Sequence, residues 1–166
     1  MITILIDSNI YGWELSYVTG SRNERALNCN KLITLLLEEA DKKKPPVNVL
    51  SFEIIIKELK EAKNYDLIAL HDSIVSGVIK ISDRIKSLSN KYFEECKKAN
   101  LFNTTIEDCQ IVAAATVSGS SYMVTENRKT LSRKEAVDIY QKINNEKGLK
   151  TPKIVDAKKA VSELFS

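Results

Sequence analysis

The chain has 166 residues, 43% of them hydrophobic and 28% charged, which suits a single soluble-type domain with a sizeable core. Its longest apolar runs, Ile2 to Ile6 and Ile111 to Ala115, are too short to span a bilayer, so no membrane association is expected. The net charge of +3 permits a polyanionic partner without demanding one.

Ile2 to Ile6 is a continuous β-branched and leucine run, the pattern of a strand buried on both faces in a parallel sheet. It begins without a basic leader, so no secretory signal is expected. Asp7 ends the run and a helix is expected from near Asn9. Arg25 to Lys43 carries a helical pattern with Leu32, Ile33, Leu36 and Leu37 on one side, stopped at Pro45 and Pro46. Val47 to Leu50 is a second strand, and Ser51 is placed to cap the next helix, Phe52 to about Asn64. A helix over Asp66 to Val75 and a third strand over Gly77 to Ile81 follow. Ser82 caps a helix to about Lys98. Ile106 to Val117 is a mostly apolar helix and Ser121 to Val124 a fourth strand. A helix from Ser132 to Glu146 stops at Gly148. Lys153 to Val155 is a fifth strand, and Asp156 caps a closing helix. Strands alternating with helices predict one α/β domain, residues 1–166, around a central, mainly parallel sheet of about five strands.

Four stretches place a carboxylate or amide where an apolar element disfavours one. Asp7 stands at the carboxyl end of the first strand, the edge that faces the ligand crevice in open α/β sheets; as a bland alternative it caps the following helix. Glu58 shares a helix face with Ile54, Ile55 and Ala62, whereas Glu53 and Glu61 lie on the polar stripe. Either Glu58 is buried and paired with a cation, or it lies at the rim of the apolar face. Asp108 is followed at i+3, i+4 and i+7 by Ile111, Val112 and Ala115; it also lies in a first helical turn, where the helix dipole favours an anion. Glu107 is expected in solvent. Glu126 and Asn127 directly follow the fourth strand, on the same edge as Asp7, with Thr125 able to orient that turn. Carboxylates brought together repel unless protonated or neutralised. A hard divalent ion, Mg²⁺ with Mn²⁺ as substitute, answers oxygen ligands of this kind and pairs naturally with phosphate chemistry.

The ordered set of strand–D-S-N, a helix with an inward Glu, D-C-Q-I-V-A-A-A and V-T-E-N-R resembles PIN-domain ribonucleases, and among them the VapC-type toxins. The resemblance runs from Ile2 to the closing helix. It implies a three-layer α/β/α fold and an acidic pocket for Mg²⁺ or Mn²⁺, with Asp7, Glu58 and Asp108 as catalytic metal ligands. It also implies hydrolysis of RNA phosphodiesters by an activated water, leaving a 5′-phosphate and a 3′-hydroxyl. Asn9 and Thr125 would orient ligands, and Arg128 would contact the RNA backbone. The fourth ligand position falls on Asn127, an amide where many members have an acid, so either Asn127 serves or Glu126 takes over; one metal or two stays open. An antitoxin partner and a homodimer are further implications.

Two other functions fit parts of the pattern. A phosphatase or receiver domain also carries an aspartate after its first strand, but the phosphatases expect a second Asp where Asn9 stands. A PIN-like module that binds RNA or protein without cutting is compatible with the amide at Asn127. Elsewhere, His71, the single histidine, is expected at the surface or a helix end. Trp13 and Tyr17 are expected in core packing or in a groove for a partner helix, Tyr92 in the core and Phe93 at its rim. Basic clusters at Lys42 to Lys44, Arg128–Lys129 and Arg133–Lys134 read as solvated ends and loops. Cys29, Cys96 and Cys109 form no CxxC pair and read as buried, reduced thiols of a cytoplasmic protein.

Overall fold

In the chain, described by a computed structural model over residues 1–43 and 46–166, the first apolar run forms the central strand. β1 (Ile2–Ile6) is followed by α1 (Ser8–Val18), α2 (Glu24–Ala40), β2 (Val47–Phe52), α3 (Glu53–Glu61), α4 (Tyr65–Ile74) and β3 (Gly77–Ile79). Then come α5 (Asp83–Lys98), α6 (Ile106–Val117), β4 (Tyr122–Val124), α7 (Lys134–Glu146), β5 (Lys153–Val155) and α8 (Ala157–Leu164). The five strands pair in parallel in the order β3-β2-β1-β4-β5. Ile4, Leu5 and Ile6 of β1 are fully buried, as a strand covered on both faces requires.

Right-handed crossovers from β1 outward to β3 put α1 to α4 on one face, and the return through β4 to β5 puts α5 to α7 on the other. The packing agrees: α1 lies against α2 and α4, α2 against α8, and α5 against both α6 and α7. This is a three-layer α/β/α fold. Its direction of winding reverses between β1 and β4, and there the carboxyl ends of two neighbouring strands open a crevice.

Most expected elements appear within a residue or two of their expected ends. Ser82 and Asp156 cap α5 and α8 through the N–H groups of Ile85 (3.2 Å) and Lys159 (2.8 Å). Gly148, just past α7, has φ +67, a left-handed turn that favours glycine. The helix expected to reach Lys43 ends at Ala40. Lys44 of the first basic cluster and Pro45 of the expected stop lie outside the described residues.

Two expectations need correcting and a third needs refining. Ser51 caps nothing: β2 continues through it, and the N-cap of α3 is Phe52, which makes no side-chain bond there. The fully buried Ser51 hydroxyl lies 2.7 Å from His71 Nε2. His71 is in the last turn of α4 but is only 3% exposed, its Nδ1 2.8 Å from Asp72 Oδ1 and its ring 5.6 Å from that of Tyr11. The helix-end placement is met, but the ring is turned inward, where the buried Ser51 hydroxyl meets one nitrogen while the exposed Asp72 meets the other. The helix expected from Ser132 starts at Lys134, because Ser132 is drawn into the preceding turn by bonds from its N–H (3.0 Å) and hydroxyl (3.2 Å) to the Asn127 carbonyl.

Tyr92 is buried, its hydroxyl donating to Asn144 Oδ1 at 2.5 Å, and Phe93 is half-buried beside it. Trp13 is half-buried against the core, with the Arg25 guanidinium 5.9 Å from its ring centre; Arg22 lies 4.6 Å over Tyr17. The three cysteines are buried and free. Among the described residues no helix is long and apolar enough to cross a membrane.

Candidate acidic site

The end of β1 and the end of β4 meet through a short network centred on Asp7. Its backbone N–H continues the sheet to the Val124 carbonyl at 3.0 Å. One carboxylate oxygen caps α1 by accepting the Ser8 N–H at 2.8 Å. The other accepts from Asn9 Nδ2 at 2.8 Å and from the Thr125 hydroxyl at 2.7 Å. Asn9 in turn accepts the Glu126 N–H at 3.1 Å, and Thr125 accepts the Asn127 N–H at 3.0 Å. Asn9 and Thr125 therefore tie Asp7 to the turn after β4. The capping reading of the sequence is thus met by Asp7, which also stands at the carboxyl end of the central strand.

Ser8, which sequence reasoning passed over, joins Asp7 to Glu58. Its N–H is on Asp7 while its hydroxyl donates to Glu58 Oε2. Glu58 is half-buried at the edge of an apolar α3 face whose Ile55 and Leu59 are fully covered. Asp108 is also half-buried, at the start of α6, while Glu107 is exposed. One Asp108 oxygen accepts the Thr105 N–H at 3.2 Å, and the Thr105 hydroxyl accepts the Asp108 N–H at 3.1 Å. This reciprocal capping box is the plain helix-terminal role that the sequence left open, and it leaves the second carboxylate oxygen free of that bond.

Burial and neighbouring carboxylates raise the proton affinity of Asp7 and Glu58. Burial pushes Asp7 up to about 7; the Thr125 and Ser8 bonds oppose this, and Glu58 and Asp108 add to it. Burial also pushes Glu58 up, opposed by Ser8 and reinforced by Asp108. None of the ion pairs among the described residues includes Asp7, Glu58 or Asp108. The cation that the sequence pattern allowed for Glu58 is thus not a neighbouring side chain.

The residues after β4 serve elsewhere. Glu126 is buried, but one carboxylate oxygen accepts the Ala157 N–H at 3.0 Å, at the start of α8. The other is 3.8 Å from Arg25 Nε and 3.7 Å from Arg128. Its carboxylate therefore faces α2 and α8, which speaks against the alternative in which Glu126 takes the fourth ligand position. Asn127 Oδ1 accepts the Thr130 N–H at 3.2 Å, closing its own turn instead of standing open beside Asp7. Arg128 is exposed and pairs with Asp156 at 3.3 Å.

Whether a metal fits can be judged from the donors. Asp7, Glu58 and Asp108 offer hard oxygen ligands and no histidine or thiolate, and no ion pair among the described residues compensates them. That suits Mg²⁺ or Mn²⁺, which keep several waters and need few protein ligands. It does not suit a closed protein cage: among the described residues no three His, Cys, Asp or Glu side chains are grouped to hold an ion.

No protein-family model and no curated protein matches the sequence. The fold is similar to a chain in the crystal structure of VapBC2 from Rickettsia felis bound to a DNA fragment from their promoter. The TM-score is 0.58 over 93% of this chain and 98% of that one, at 15% sequence identity. The likeness is one of fold, and it makes the architecture a PIN-like α/β domain with a parallel five-stranded sheet.

Proposed function

We propose that the protein is a Mg²⁺- or Mn²⁺-dependent endoribonuclease whose catalytic centre is Asp7, Glu58 and Asp108. The observation that carries the reading is the pair of acids at the reversal point of the sheet, Asp7 and Glu58, joined through Ser8 with no ion pair to either among the described residues, and Asp108 near enough to add to the proton affinity of both. Such an arrangement is costly unless a cation completes it. A divalent ion bound there would neutralise charge on a phosphodiester and make a water more acidic.

The chain's own residues perform the rest. Asp7 and Glu58 hold their oxygens toward the crevice through Ser8. Asn9 and Thr125 fix the Asp7 rotamer, which sets where an ion can sit. Asp108 contributes its free oxygen from the rim. Arg128, exposed on the same sheet edge, is a candidate for the RNA backbone, although its pair with Asp156 must open first. Likeness to a VapBC2 chain supports a toxin-type assignment with an antitoxin-type protein partner and a homodimer. Action in the cytoplasm belongs to the same reading.

A second reading has one observation in its favour. Asn127 closes its own turn and Glu126 faces away, so the fourth ligand position has no carboxylate directed at Asp7. A PIN-like module that binds RNA without cutting would tolerate this. Incubation of a mixed RNA pool with Mn²⁺, followed by end mapping, separates the two. New 5′-phosphate and 3′-hydroxyl ends that disappear with chelator are expected; retained RNA binding without any new ends would favour the binding module.

A further inference from the structure

The turn between α5 and α6 displays an aromatic ring to solvent. Phe102 is 73% exposed, although Leu101 and Thr104 on either side are 5% and 4% exposed. The turn is fixed by backbone bonds: Asn100 N–H to the Lys97 carbonyl (3.0 Å), Leu101 N–H to the Cys96 carbonyl (2.9 Å) and Thr104 N–H to the Leu101 carbonyl (3.2 Å). Asn100 takes φ +62 to make it, a left-handed conformation that asparagine tolerates better than most residues. A single exposed apolar side chain is ordinary on a protein surface. An exposed ring held on a rigid turn beside an acidic site is a more specific arrangement.

Position and charge give the ring a use. Three peptide steps separate Phe102 from Thr105, so their Cα atoms lie within about 11 Å. Thr105 is the residue whose N–H holds the Asp108 carboxylate. The last turn of α5 supplies the exposed Lys97, whose ammonium lies 5.0 Å from the Phe93 ring centre, and the exposed Lys98, paired with Glu95 at 2.9 Å, and Asn100 and Asn103 are exposed as well. An open aromatic face with lysines and amides beside it is how sequence-tolerant sites bind single-stranded nucleic acid: bases stack while cations follow the backbone.

We propose that Phe102 is a stacking platform for an unpaired base of the RNA substrate, within a few nucleotides of the bond presented to Asp7, Glu58 and Asp108. The proposal rests on the ribonuclease reading for its substrate but not for its test. Binding is measured with Asp7→Asn protein, so that the probe is not cut, using a fluorescent single-stranded oligoribonucleotide of mixed sequence and a blunt RNA duplex of equal length. Phe102→Ala should weaken single-strand binding about tenfold, while Phe102→Trp retains it and duplex affinity is unchanged in both. An abasic probe series should contain one position whose loss matches that of Phe102→Ala and does not add to it. The exposed ring contributes little to the fold, and equal melting temperatures verify this.

Unchanged single-strand affinity in Phe102→Ala overturns the proposal and turns attention to a protein partner for the ring. So does an equal loss for duplex and single strand, or no measurable binding by the Asp7→Asn parent. RNA cleavage by the unaltered protein together with unchanged affinity in Phe102→Ala would leave the nuclease reading standing without this platform. The expected binding pattern without any cleavage would do the reverse.

Discussion

Three hydrogen bonds to Asp7 favour its charged form, and burial still wins, holding the carboxyl up near 7. Desolvation of a charge outweighs neutral hydrogen bonds when no cation shares the space. The consequence for the metal-free protein has a definite sign. Below about pH 4 the group is protonated in both folded and unfolded chains. Between about pH 4 and 7 the folded state binds the proton more tightly, so Asp7's contribution to stability is lost as pH rises through that window. Glu58, also raised by burial, acts in the same direction. With chelator present, thermal melts of Asp7→Asn should therefore lose less stability than the parent as pH rises from about 4 to 7; parallel profiles would contradict the raised value. Glu126 offers the opposite test. Its carboxylate bonds the start of α8 and faces Arg25, so Glu126→Gln should retain RNA cleavage to within a few-fold in initial-rate assays. A loss as deep as that of Asp7→Asn would return Glu126 to the metal site.

Elements set the limits of what the sequence could reveal. All five strands were legible, β1 most plainly, because a parallel strand covered on both faces reads as an apolar run, whereas the edge strands β3 and β5 are short and keep exposed positions. The polar and apolar stripes of α3 separated Glu58 from Glu53 and Glu61 for a similar reason: helical period assigns faces. Direction and long-range partners were not legible. Period places the Glu126 backbone after β4, but its carboxylate is claimed by the start of α8, 31 residues on. Ser51 looked like a cap because a hydroxyl before a helix is a good one; its actual partner, His71, lies 20 residues away on α4. That bond, with Asp72 on the other ring nitrogen, follows the order of a Ser–His–Asp relay. Ser51 is fully buried within β2, so no substrate can reach it, and the relay fastens α4 to the sheet instead. Ser51→Ala should cost about 1–3 kcal/mol, the usual penalty for leaving a buried polar group unpaired. Urea denaturation measures it, and a change below about 0.5 kcal/mol would show the bond to be incidental.

For the whole molecule, the order β3-β2-β1-β4-β5 explains how acids far apart in sequence come near enough to act on Asp7. The chain winds outward from β1 and returns through β4, so the carboxyl ends of those strands flank the crevice while α3 and α6 approach it from opposite layers. Asp7 comes from the central strand, Glu58 from one layer and Asp108 from the other. An ion joining them would tie all three layers together, which links metal affinity to global stability. Adding Mg²⁺ or Mn²⁺ to metal-free protein at neutral pH should thus raise the melting temperature of the parent more than that of Asp7→Asn. The central claim is tested most directly by the metal-dependent cleavage of RNA by the parent and by Asp7→Asn, compared at matched folded fractions. Cleavage with Mn²⁺ that falls by at least a hundredfold in Asp7→Asn is the predicted result, and undiminished cleavage by that variant would contradict the account.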